Sequence, residues 1–137
     1  MRVSSLTAWA GALLLAAMTT PVAGHHSFAA EYDSEKPFRL TGAVTKVEWT
    51  NPHVYFYIDV KDPETGRIAN WAMEMGAPAV IARNGWKRSS MNIGDLVIVE
   101  GFRAKSGRTH GNARSVTLAS TGERLGAGSS FGGDDAR

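Results

Sequence analysis

Val54, Phe56, Ile58 and Val60 alternate without a break with Tyr55, Tyr57 and Asp59. A period of two sends one set of side chains to each face of an extended strand, and no helix gathers that pattern onto one stripe. An apolar strand face has to be covered, and a lone strand has no partners for its backbone groups. The rest of the chain must therefore supply a sheet.

Four further segments have strand character. Leu40 to Trp49 reads as the first strand, with Ala43, Thr45, Val47 and Trp49 on one face and Lys46 and Glu48 on the other. Asn51-Pro52-His53 ends it, because Pro52 has no amide hydrogen to give to a ladder. Asp62-Pro63-Glu64-Thr65-Gly66 has turn chemistry, and Ile68 to Met75 follows with Trp71 and Met73 facing opposite to Asn70 and Glu74. Ala77 to Asn84 is helix-like, with Pro78 near the first turn and Gly85 as a stop. Val80, Ile81 and Trp86 are then placed to cover the open end of a sheet. Asn92 to Asp95 turns the chain into the apolar run Leu96 to Val99. Lys105-Ser106-Gly107 turns it again, ahead of Ala113 to Ala119 with Val116 and Leu118 inward.

The order strand, strand, strand, helix, strand, strand is that of an OB-fold, a five-stranded, partly open barrel. A plain meander or a small sandwich with a helical insert fits the same string. The expected class is mainly β: a small five-stranded OB-like barrel over residues 39–121, with one short helix between strands 3 and 4.

The first 24 residues read as a cleavable export signal. Arg2 supplies the positive start, Leu6 to Met18 the apolar stretch, and Val22-Ala23-Gly24 the small residues before a cut. The apolar run is well short of the roughly 20 residues that cross a bilayer, and no later segment is long enough. Cleavage after Gly24 leaves His25 as the mature terminus, while cleavage after Ala23 leaves Gly24. Residues 25–38 then form an N-terminal arm, extended or with a short helical turn. Residues 122–137 are rich in Gly, Ser and Asp and read as a disordered tail.

Removing 24 of 137 residues leaves 113, enough for one small domain. The 15 Lys and Arg lose only Arg2, so 14 stand against 13 Asp and Glu. That near balance is no footprint for nucleic acid, which calls for a basic face. The chain has no cysteine, which excludes disulfides, thiolate metal sites and cysteine catalysis together.

The segments HHSFAAEYD after the signal, VEWTNPHVYFYIDV in the middle and NGWKRSSMNIGDLV before the return strand resemble an uncharacterised family of small exported bacterial proteins, domain of unknown function 6152. The resemblance covers nearly all of residues 25–125. It implies a periplasmic bacterial protein and brings no activity with it, so no catalytic residue follows from it.

Chemistry has to come from the residues. The four histidines are His25, His26, His53 and His110. In an OB-like barrel His53 lies in the loop joining strands one and two and His110 in the loop joining strands four and five, the pair that flanks the ligand face. With a mobile arm carrying His25 and His26, the four are a candidate metal set. Neutral imidazole and a free terminal amine suit copper or nickel, which take nitrogen-rich tetragonal surroundings. The competing reading leaves His53 bonded to backbone in its turn and the other three solvated.

Tyr55 and Tyr57 are the candidate ligand-binding pair, because aromatic residues on the open face of such a barrel stack on rings. Phe28 and Tyr32 of the arm can instead cover them as a second small core. Glu48 and Glu74 can face one another across the sheet without forming a catalytic pair, and no HExxH or phosphate loop is present. Trp49, Trp71 and Trp86 read as core or rim packing. Arg103, Lys105, Arg108 and Arg114 give the last hairpin a positive patch, available to an anionic partner or simply solvated.

The expected function is a non-enzymatic binding module, periplasmic or secreted, for a metal ion, a small ligand or a periplasmic protein. The alternative is an accessory subunit or small metalloenzyme with an N-terminal histidine site. No nucleic-acid partner and no membrane span after cleavage are expected.

Overall fold

The computed structural model describes residues 27–128. They form α1 (Phe28–Glu31), β1 (Tyr32–Glu48), β2 (Tyr55–Lys61), β3 (Ile68–Glu74), α2 (Pro78–Arg83), β4 (Leu96–Ala104), β5 (His110–Leu118) and β6 (Arg124–Gly126). The class is mainly β, as the alternating pattern requires. No helix among the described residues is long and apolar enough to cross a membrane.

Neighbouring strands run β3-β2-β1-β4-β5-β6, all antiparallel, and β3 pairs in addition with β5 in parallel. The parallel ladder is short: Ala72 opposite His110, Met73 opposite Gly111, Glu74 opposite Asn112. It carries the pairing from β1 through β2, β3, β5 and β4 back to β1. Inside that circuit sit Val44, Val54, Phe56, Ile58, Met73, Val97, Val99 and Val116, none more than 1% exposed. Ile81 of α2 and Trp86 close over the same core, and the Trp86 indole N–H donates to the Gly126 carbonyl at 2.8 Å. Trp71 belongs to the core and Trp49 packs against it.

Four details differ from the sequence reading. β1 begins at Tyr32, so half of the expected arm is strand; residues 33–37 carry no alternation, and the pairing with β4 is irregular between Tyr32 and Pro37. Within β1 the register with β2 shifts between Val44 and Lys46, leaving Thr45 unpaired. An extra residue reverses which side chains face the core. Val44 and Val47 both turn inward while Thr45 is exposed, so the even alternation expected for 43–49 fails there.

β5 starts at His110, three residues before the expected Ala113. His-Gly-Asn carries no β signal of its own, and the backbone of β3 holds it. Residues 122–128, assigned to the tail, instead contain β6 and the buried Ala127, whose amide donates to the Arg114 carbonyl at 2.8 Å. Backbone pairing does not require apolar side chains, so composition misled there. Residues 129–137 lie outside the described residues.

Candidate metal centre

The outward set of β2 and β3 meets α1 and the first residue of β1 at one end of the strand circuit. Since Met73 points into the core, its neighbour Glu74 points out. Glu74 lies opposite Tyr55 in the antiparallel register, and its backbone pairs with β5 on the other side. Tyr32 opens β1, Glu31 ends α1, His110 opens β5, and His53 precedes β2 in the loop after the cis Asn51–Pro52 peptide. Strand ends from distant parts of the chain thus deliver these side chains to one place.

Glu74 is the hub, with only 7% of its surface exposed. Burying a carboxylate is costly unless its oxygens are hydrogen-bonded. Here the Tyr55 hydroxyl donates to Glu74 Oε2 at 2.5 Å and the Tyr32 hydroxyl donates to the same oxygen at 2.9 Å. His53 Nδ1 lies 3.5 Å from Glu74 Oε1. The Tyr32 oxygen is also 3.1 Å from His110 Nε2, and the Tyr32 and His110 rings meet edge to face with centroids 5.5 Å apart.

The arm is fastened beside this cluster. The Lys105 amide donates to the Glu31 carbonyl at 2.9 Å, the Lys105 ammonium donates to the Ala29 carbonyl, and Phe28 lies between the Tyr32 and Phe102 rings. Glu31, Glu74 and His110 consequently present one donor atom each, all within 4.8 Å of one another. Two carboxylates held that close repel unless a proton or a cation stands between them. The mixed oxygen and imidazole set suits a divalent first-row transition ion.

Burial, with the negative charge of Glu74 and its hydrogen bond, holds the Tyr32 and Tyr55 hydroxyls well above the ordinary tyrosine value of 10.0. The Tyr57 hydroxyl is raised as well, chiefly by its own hydrogen bond to Glu48. A phenol whose folded value is raised stabilises the fold fully below the unfolded value and less as pH climbs past it. For the buried Tyr32 that loss continues as pH rises above the ordinary tyrosine value. The tyrosinate absorbance of Tyr32 and Tyr55 in an alkaline titration should therefore appear together with loss of native circular dichroism. Ionisation of all three tyrosines in a still folded protein would contradict this arrangement.

Of the residues singled out from sequence, His53 lies in the β1–β2 loop as expected, and both it and His110 meet the same cluster. His110, however, is the first residue of β5 and not a loop residue. Tyr55 is drawn into the Glu74 cluster, with Tyr32 of the former arm beside it. Tyr57 stands apart, donating to Glu48 Oε2 at 2.9 Å with Lys46 alongside. Both tyrosines are half-buried. Glu48 and Glu74 do not meet: β2 runs between their strands, and Tyr55 pairs with one on each side. His25, His26 and the proposed signal lie outside the described residues. Lys105 holds the arm, while Arg103 lies over Trp71 at 4.8 Å and Arg114 over Phe102 at 5.9 Å, so this patch is partly engaged in packing.

Sequence reasoning did not single out Glu31, and it treated Glu74 only as a possible partner of Glu48. The available signal was a carboxylate between Met73 and Met75 at the end of an apolar strand, where a charged side chain needs a specific partner.

Neither the curated proteins nor the solved structures include a match to this chain. One family model does match, over residues 12–114, a span that contains the second half of the signal-like segment, the arm, β1 to β4 and the first residues of β5. Glu31, Tyr32, His53, Tyr55, Glu74 and His110 all fall within it. The chain belongs to the family of unknown function DUF6152.

Proposed function

We propose that this chain is an exported, periplasmic or secreted module that binds one divalent copper or nickel ion, built on an OB-like barrel. The observation that carries the reading is the convergence of Glu31, Glu74 and His110 within 4.8 Å, with His53 against the same buried carboxylate. The circuit β1-β2-β3-β5-β4 with a helix between β3 and β4 supports the barrel, since that is the strand order an OB-fold closes with.

The terminal histidines supply the rest of the set. His26 and His25 stand one and two positions ahead of Ser27, whose carbonyl accepts from the Ala30 amide in the turn that ends at Glu31. Imidazole and amine nitrogens added to two carboxylates make the surroundings that copper(II) and nickel(II) favour. In this reading the protein side holds and positions the ion, while the core of the barrel keeps the strand ends in register.

Intact mass and metal content of protein recovered from the periplasm test this directly. The expected species starts at His25 and carries one equivalent of copper or nickel. A chain that still begins at Met1 overturns the export and every role given to a terminal histidine.

A further inference from the structure

The two tyrosines around Glu74 do more than hydrogen-bond a buried carboxylate, and hydrogen counting shows how. Tyr32 and Tyr55 both donate to Oε2 of Glu74. A carboxyl oxygen that accepts two hydrogen bonds has spent both lone pairs and carries no hydrogen itself. The single hydrogen of the Tyr32 hydroxyl therefore lies on the Glu74 side. Yet the same hydroxyl oxygen is 3.1 Å from His110 Nε2. Two lone pairs do not attract, so the hydrogen in that contact belongs to the imidazole. The chain of donation runs from His110 Nε2–H to Tyr32, and from Tyr32 to Glu74.

We infer that Tyr32 is a positioning residue that fixes His110 as the Nε2–H tautomer, so that Nδ1 is the nitrogen His110 offers to an ion. This rests on the metal-binding reading above for its second half; the tautomer itself does not depend on it. A neutral imidazole has one N–H and one bare nitrogen, and the partner of the N–H decides which is which. Metal-binding histidines characteristically give their other N–H to such a partner, which fixes the ring orientation as well as the tautomer. Here the partner is a phenol held in turn by a buried carboxylate, and the edge-to-face contact of the two rings limits rotation about the His110 side chain. Tyr55 makes the useful comparison, because it loads the same Glu74 oxygen but meets His110 ring to ring, with centroids 6.2 Å apart, and not through a hydroxyl at the imidazole nitrogen.

Long-range proton–nitrogen NMR of the metal-free protein near neutral pH reads the tautomer directly from the two ring nitrogen shifts. The expected result is Nε2–H in the wild type and in Tyr55→Phe, and a mixture of tautomers in Tyr32→Phe. Copper(II) titrated into the same three proteins should bind Tyr32→Phe about 10- to 100-fold more weakly than wild type. Tyr55→Phe, which also removes one hydroxyl from the buried carboxylate, controls for general loosening of the site. A wild-type signature of Nδ1–H overturns the inference. So does a Tyr32→Phe protein that keeps the Nε2–H form. If the wild type shows Nε2–H but takes up no copper(II), the metal reading falls and the tautomer assignment stands.

Discussion

Phe56→Ala is expected to leave the protein unfolded or nearly so in water. Phe56 is fully buried on β2, flanked in the ladders by Val47 of β1 and Met73 of β3. Its neighbours come from strands far apart in the chain, so the cavity cannot close without shifting the ring of strands. Truncating a buried Phe costs about 3–5 kcal/mol, against a total stability of about 5–15 kcal/mol for a domain of this kind. Tyr55→Ser, one residue away on the outer face, should cost clearly less: it gives up a half-buried ring and one hydrogen bond to Glu74. Denaturant unfolding of both variants checks the difference. Equal losses would mean that the outer face of β2 is covered as completely as the inner one, and that no ligand approaches there.

The second large effect is expected at the cluster. His110→Ala removes one of the three converging donors and the partner of Tyr32, and it should lower copper(II) affinity by on the order of 100-fold or more, since even loss of an outer-shell partner costs about 10- to 100-fold. Glu74→Gln keeps the shape but replaces the charged acceptor of two tyrosine hydroxyls with a neutral amide. It should weaken copper binding comparably, and destabilise the metal-free protein too, because a neutral amide oxygen is a weaker acceptor for the two phenols than a carboxylate. His53→Ala separates two arrangements. A loss there means that the arm and the β1–β2 loop share the ion with His110; no loss means that His53 serves only to fill the space beside Glu74. Binding of the wild type should weaken at acid pH, where protons compete with the ion for its ligand atoms.

How much of this was legible beforehand depends on what kind of signal each feature leaves. The run from Val54 to Val60 gave β2 and its buried face because alternation is a local pattern with one structural meaning. Pro78 and Gly85 bracketed α2 for similarly local reasons, and Trp86 was recognisable as a lid. The bulge at Thr45 was not legible, because one unpaired residue changes no composition and yet reverses the faces beyond it. β6 was hidden by glycine and charge, since its hold on β5 is made by backbone. Glu74 illustrates the harder limit. Its neighbours in sequence mark it as a charge in an apolar strand, but its partners Tyr32, His53 and Tyr55 are brought by three different elements. His53 and His110 were identified from the loops of an assumed barrel, and Glu31 could not be, since α1 is held against the β4–β5 hairpin by contacts with no sequence pattern.

Calorimetric titration of copper(II) into protein that begins at His25 tests the central claim most directly. The account predicts one equivalent bound, an affinity well above that of a scrambled N-terminal peptide, and a large loss on His110→Ala with the fold intact by circular dichroism. Affinity no better than the scrambled peptide, or binding indifferent to His110 and Glu74 alike, would contradict it.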